Sequence, residues 1–153
     1  MFSLEFDDGS NGTARVAFNF DNDPEALEWI KLKFASEVAT LQLIESVAPS
    51  IPVPRVVHTD FSTTNPLGGP YILVEQSGGE PISQVIEEMT HAEREAMVAA
   101  IGEEAARLFR ITLPRIGSVS GIDKMGRPIV GPMVRQKMPG RTEGPFSEVQ
   151  QCV

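Results

Sequence analysis

The chain has 153 residues, of which 41% are hydrophobic and 22% charged, enough apolar material for the core of one ordinary domain. Thirteen basic and 21 acidic residues give a formal net charge of −8. This charge argues against a general binder of nucleic acid or anionic membranes, because both need a positive field. The single cysteine, Cys152, excludes a disulfide framework and a cysteine-based zinc site. No apolar run approaches the roughly 20 residues of a membrane span, and the acidic N-terminus is unlike a secretory signal, so we expect an intracellular, cytoplasmic protein.

The first part of the sequence predicts a hairpin followed by a helix. Alternating apolar residues at 2–6, a turn-rich stretch at 7–12 and a second apolar segment at 13–20 are typical of two paired strands. A break follows at 21–24. Apolar residues at 34–48 then recur every three or four positions, which predicts an amphipathic helix.

The middle of the sequence predicts two strands and two helices. The short segment at 55–58 has a strand composition, and the continuous apolar run at 71–75 is typical of a strand covered on both faces. Apolar spacing at 82–89 predicts a short helix. The pattern at 90–93 is a capping box, and it begins a helix that we expect to end near Arg110.

The last part predicts a hairpin and a tail. The segments at 116–119 and 128–131 have the composition of two strands that turn at 123–126. From residue 138 onward glycine, proline and polar residues dominate, so we expect a disordered tail over 138–153. The whole order favours the α+β class, with one helix packed on an antiparallel sheet and helical material after it.

Glu37 is the first residue that suggests a site. It falls between Leu41 and Ile44 on the apolar face of the predicted helix, where a carboxylate needs a cationic or hydrogen-bonding partner. Arg15, on the preceding predicted strand, is a candidate partner. The alternative interpretation is that Glu37 lies at the margin of this face and is solvated.

Seven short segments between residues 2 and 132 together resemble a known family. They are LEFDDGS at 4–10, ARV at 14–16, ASEVAT at 35–40, IPVP at 51–54, NPLG at 65–68, YILVE at 71–75 and IGS at 116–118. In order and spacing they resemble the small lobe of a kinase-like phosphotransferase, the aminoglycoside phosphotransferase family in its fungal branch. The resemblance implies a partial kinase-like small lobe over 1–77, and a hinge with the first helices and hairpin of a truncated large lobe over 78–137.

The same resemblance implies binding roles for four residues. Arg15 stands where the family has the strand residue that contacts the α and β phosphates, and Glu37 matches the helix glutamate that pairs with it. The backbone carbonyl of Glu75 and the backbone N–H of Ser77 match the hinge groups that receive adenine. ATP and Mg²⁺ are therefore the cofactors that the resemblance implies.

Two parts of the family's active site have no counterpart in the sequence. A first strand and phosphate-covering loop would precede Phe2, and the catalytic His-x-Asp-x-x-x-x-Asn sequence would follow the hinge, yet residues 133–153 contain neither Asp nor His. The same spacing from His58 to Asn65 comes before the hinge, so we interpret it as a coincidence of turn residues.

Three functions remain open at this stage. We expect a truncated phosphotransferase that does not transfer phosphate alone; the resemblance assigns it no catalytic residue and no metal ligand. One alternative is a non-catalytic module that binds a nucleotide or a protein, and another is an α+β domain whose likeness is structural only. The helix at 91–110 lacks a partner lobe, so its apolar face predicts self-association.

Overall fold

The computed structural model describes residues 2–17, 23–134 and 142–148. Within these ranges the chain alternates strands and helices in the order β1 (Phe2–Glu5), β2 (Asn11–Val16), α1 (Pro24–Val47), β3 (Val56–Asp60), β4 (Tyr71–Glu75), α2 (Ile82–Val85), α3 (His91–Leu108), β5 (Ser118–Ile122), β6 (Pro128–Gly131), β7 (Met133–Val134) and β8 (Thr142–Glu143). The antiparallel sheet and the helices confirm the α+β class that the sequence predicted.

A four-stranded antiparallel sheet forms the first layer, with the order β1-β2-β4-β3. The β1–β2 hairpin forms as predicted, although β2 ends at Val16 and residues 18–20 of the predicted strand lie outside the described part of the chain. In β4 only Ile72 is fully buried, while Leu73 and Val74 are half-buried. The strand is therefore covered less completely than its continuous apolar sequence predicted.

Helix α1 begins ten residues before the predicted start at residue 34. Asp23 is its N-cap, and the carboxylate accepts hydrogen bonds from the backbone N–H groups of Glu25 and Ala26 at 3.0 and 3.1 Å. Pro24 occupies the first turn, where a missing N–H costs nothing. The residues that we interpreted as the end of a break are thus the start signal of a helix.

The main core lies between α1 and the β5–β6 hairpin. Ala39 and Leu43 of α1 are buried against Val119 of β5, and Ile111 and Ile122 complete the cluster. Helix α1 also contacts β3 and β4, but its most extensive packing is on β5. The sequence predicted a helix packed on the sheet and did not reveal this second contact.

The capping box of α3 is confirmed. The Glu93 carboxylate accepts the backbone N–H of Thr90 at 2.7 Å, and the Thr90 hydroxyl accepts the backbone N–H of Glu93 at 3.3 Å. The helix ends at Leu108 instead of near Arg110, and α2 covers only Ile82–Val85 of the predicted 82–89. No residue of α3 is buried.

The described part of the predicted tail contains paired backbone. Strand β8 pairs with β7, and Phe146 exchanges two backbone hydrogen bonds of 2.9 Å with Ile116. The remaining tail residues, 138–141 and 149–153, lie outside the described residues. Ile116 and Phe146 are distant in sequence, so no local pattern indicated their pairing.

Leu43→Ala is expected to lower the free energy of unfolding by about 3 kcal/mol, because the side chain is 2% exposed and its removal leaves a cavity beside Val119. Leu32→Ala is the matched control on the same helix. Leu32 is 49% exposed, so its loss should change stability by less than about 0.5 kcal/mol. Urea unfolding measured by circular dichroism compares the two variants, and equal losses would contradict the assignment of Leu43 to the core.

Asp123 makes the β5–β6 turn sensitive to acid. Its carboxylate accepts the backbone N–H groups of Arg127 and Met125 at 2.9 and 2.8 Å and the Arg127 guanidinium at 2.9 Å. These contacts, the Arg127 N–H first, lower the pKa of Asp123 from its ordinary 3.8. A lowered pKa means that the carboxylate stabilises the fold at pH values above 3.8 and that this stabilisation is lost as the pH falls through the folded-state pKa.

We therefore expect the amide proton shifts of Met125 and Arg127 to move together with a midpoint below pH 3.8 in an NMR titration. The Asp123→Asn variant has no carboxylate to protonate, so these two shifts should stay constant in it. A midpoint at or above the ordinary value in the unsubstituted chain would refute this account of the turn.

Candidate functional site

An ion pair joins the sheet to α1. Arg15 lies on β2 opposite Ile72 of β4, and its Nη1 donates to the Glu37 Oε1 of α1. The two side chains are 35% and 28% exposed, so the pair is only partly screened by solvent. The structure therefore shows Arg15 as the partner of Glu37, as the sequence suggested. The alternative interpretation, in which Glu37 is solvated and unpaired, does not hold.

The Arg15 guanidinium has more donors than this one bond uses. A guanidinium carries five N–H donors in one plane. Among the described residues, Glu37 is the one hydrogen-bond partner that the Arg15 side chain has. The remaining donors can meet an anion, and Glu37 fixes the plane of the group while they do so.

The predicted hinge residues line a recess at the end of β4. Glu75 and Ser77, with Gln76 and Gly78, face the segment 52–54 across a cavity of about 420 Å³. The backbone N–H of Glu75 donates to the Arg55 carbonyl at 2.9 Å. Arg55, which the sequence did not single out, also lies 3.8 Å from the Glu75 carboxylate and 3.3 Å from that of Glu45.

Arg15 and Glu75 lie on the neighbouring strands β2 and β4, but the two predicted pairs are at different places. Glu75 is opposite Gly12 on β2, three residues from Arg15, a separation of about 10 Å along the strand. Glu37 lines a cavity of about 340 Å³ with Lys33, Thr40 and Leu41 of α1 and with Val134. The structure thus brings Arg15 to Glu37 and Glu75 to the recess that Ser77 also lines, with Arg15 and Glu75 on the paired strands β2 and β4.

The sequence from His58 to Asn65 covers the end of β3 and the loop that follows it. The Asn65 side-chain amide donates to the carbonyls of Ser62 and Gly69 at 2.9 Å, and its oxygen accepts the Leu67 N–H at 3.0 Å. The Ser62 backbone N–H, chiefly, lowers the pKa of Asp60. These turn contacts account for Asp60, Ser62 and Asn65 without a catalytic role.

The described ranges hold neither a metal-binding cluster nor a helix that could span a membrane. Across residues 2–17, 23–134 and 142–148, no three His, Cys, Asp or Glu side chains are grouped so that they could hold a metal ion. In the same ranges, none of the helices combines the length and the apolar character that crossing a bilayer requires.

Comparison with known proteins gives short, partial matches. No family model and no solved structure matches the chain. It is 34% identical over 85 residues to subtelomeric hrmA-associated cluster proteins of two Aspergillus fumigatus strains, a match that covers 56% of the chain and 16% of those proteins. It is 29% identical over 126 residues to altered inheritance of mitochondria protein 9, mitochondrial, of Candida tropicalis, which covers 78% of the chain and 19% of that protein. The chain therefore spans less than a fifth of the length of these relatives.

A double-mutant cycle on Arg15→Ala and Glu37→Ala should give a coupling energy of about 1 kcal/mol, because both groups are partly buried. The control cycle is Arg55→Ala with Glu45→Ala, a pair at 3.3 Å whose side chains are 65% and 49% exposed. We expect less than about 0.5 kcal/mol there. Urea denaturation of the unsubstituted chain and the six variants measures both cycles, and a larger coupling in the control would argue against a special role of the Arg15 pair.

Proposed function

We propose that this chain is the nucleotide-binding part of a kinase-like phosphotransferase related to the aminoglycoside phosphotransferases, and that it acts within a longer protein. The observation that carries the proposal is the ion pair between Arg15 of β2 and Glu37 of α1. Kinase-like enzymes position the ATP phosphates with such a pair between a strand cation and a helix glutamate. The full protein would transfer the γ-phosphate of ATP to the hydroxyl group of a small molecule.

The phosphate contact is assigned to the free donors of Arg15. A guanidinium presents parallel N–H groups that match a phosphate, whereas a lysine offers a point charge. Because Glu37 holds one Nη group, the remaining donors need no reorientation before they bind. Pre-orientation of this kind raises affinity by reducing the entropy lost on binding.

The adenine contact is assigned to the end of β4. The backbone carbonyl of Glu75 and the backbone N–H of Ser77 supply one acceptor and one donor, and both residues line the same recess. The separation of about 10 Å between Arg15 and the level of Glu75 suits a base at one end and a phosphate at the other. Gly79, with φ +97°, provides the turn through which the chain leaves this edge.

The proposed contribution of this chain is binding and orientation. Phosphoryl transfer also needs Mg²⁺ and a residue that positions the attacking oxygen. We assign both to other parts of the longer protein, in line with the small share of the relatives' length that the chain covers. The purified chain alone is therefore expected to bind nucleotide without transferring phosphate.

A second candidate function is non-catalytic binding of a protein. Helix α3 favours it, since Val98 and Ile101 on its apolar stripe are 63% and 50% exposed. The predicted self-association of the chain through this face belongs to the same candidate. Sedimentation at increasing concentration of the chain and of Ile101→Ser tests it directly.

We propose the cytoplasm as the location of the protein, with the mitochondrion as the second candidate. The second candidate rests on the name of the Candida tropicalis relative, which carries the word mitochondrial. Fractionation of cells that express the tagged full-length protein distinguishes the two compartments.

ATP should bind the chain, and Arg15→Ala should raise the dissociation constant about tenfold or more, since a hydrogen bond to a charged group contributes about 1.5–3 kcal/mol. Isothermal titration with ATP, in the presence and absence of Mg²⁺, gives the constants. The Arg15→Lys variant should retain part of the affinity, because it keeps the charge without the fork geometry.

The control is Arg115→Ala, which removes the same charge from an exposed position between α3 and β5. Its ATP affinity should equal that of the unsubstituted chain. If the Arg15 and Arg115 variants lose ATP affinity equally, the loss would come from the change in net charge and not from a contact of Arg15. Absence of ATP binding by the correctly folded chain would reject the nucleotide site as a whole.

A further inference from the structure

A cavity of about 530 Å³ lies where the end of α1 approaches the segment that follows α3. Its apolar wall is built from residues of both regions, namely Leu43, Val47, Ile51, Ile111 and Pro128. Leu43 and Ile51 are 2% and 6% exposed, so this wall is continuous with the main core. The volume falls within the range of about 300–1,000 Å³ that is usual for small-molecule sites.

Two arginines line the same cavity. Arg107, in the last turn of α3, donates to the Glu104 carboxylate at 2.9 Å. Arg110 has no carboxylate at ion-pair distance among the described residues. An open guanidinium thus lies next to an apolar wall, an arrangement that complements a molecule with one negative charge and an apolar body.

We propose that this cavity binds a small organic anion, with its charged head on Arg110 and its apolar body against Leu43, Val47 and Ile51. The guanidinium remains charged in proteins and matches the planar or tetrahedral oxygens of a carboxylate, phosphate or sulfonate. Removal of the apolar body from water supplies the second part of the affinity. None of the lining residues belongs to the proposed nucleotide site, so the two proposals are independent.

A structural role for Arg110 competes with this proposal. The last turn of α1 contains no basic residue, and a nearby guanidinium stabilises the partial negative charge of helix carbonyls. Some of these groups already have partners, since the backbone N–H of Ala48 donates to Ile44 at 2.8 Å and that of Ile51 to Ala48 at 2.9 Å. Substitution of Arg110 distinguishes the two roles. A structural role predicts a lower melting temperature, whereas the binding role predicts a weaker affinity for an anion.

The test uses two fluorescent dyes of similar shape, the anion anilinonaphthalenesulfonate and the uncharged phenylnaphthylamine. The chain should bind the anion more tightly than the uncharged dye. Arg110→Ala should weaken the anion about tenfold, the loss typical of one charge-assisted hydrogen bond, and leave the uncharged dye unchanged. Arg110→Lys should retain part of the preference, and Arg115→Ala all of it.

Two further measurements assign the dye to the cavity and separate the competing role. Ile101→Ser alters the exposed face of α3 outside this cavity, so it should leave the affinity for the anion unchanged. Loss of dye binding in Ile101→Ser would place the dye on α3 and overturn the proposal. A lowered melting temperature of Arg110→Ala with unchanged affinity for both dyes would also overturn it, in favour of the structural role.

Discussion

Helix α1 is covered on two opposite sides, and this constraint organises the rest of the molecule. Glu37 faces the sheet, where it meets Arg15, while Ala39, two residues on, faces β5. Two residues correspond to a rotation of about 200° around a helix, so these contacts lie on opposite sides. Phe34 adds to the sheet side through an edge-on contact with Phe61, with ring centroids 6.4 Å apart. The helix is therefore the middle layer between the sheet and the β5–β6 hairpin.

The double coverage explains why the sequence revealed only part of the fold. A helix that is covered on one side shows a clear apolar stripe, but a second covered side adds apolar residues outside that stripe and weakens the period. The spacing pattern correctly included Phe34 and Ile44 and omitted the buried Ala39 and Leu43. The same pattern placed Glu37 on the apolar face and made Arg15 a candidate partner, because a carboxylate on such a face requires a cation or hydrogen-bond donor nearby, and the structure shows this pair.

Features that depend on neighbouring residues were predictable, whereas those that depend on distant ones were not. The capping box at Thr90 and the turn that ends in β6 are local patterns, and both form as the sequence indicates. The recess beside Glu75 is built from strand β4 and from a segment more than twenty residues earlier, and the cavity at Arg110 joins α1 to residues after α3. No period or motif in the sequence predicts contacts between segments so far apart in the chain.

The acidic net charge is compatible with the two proposed anion contacts because charges in water act locally. At physiological ionic strength a charge is screened within about 8 Å, so the net charge of −8 does not fix the potential next to one guanidinium. Acidic neighbours do matter at that range, and several arginines are occupied by them, among them Arg55, Arg107 and Arg127. Arg15 differs because its one carboxylate orients it and leaves donors open, and Arg110 differs because no described carboxylate is within reach. Open donors alone do not mark a site, because Arg115 is also exposed and has no carboxylate partner among the described residues. Arg15 and Arg110 are distinguished by what lies beside them, which is Glu37 of α1 in one case and the apolar wall at the end of α1 in the other.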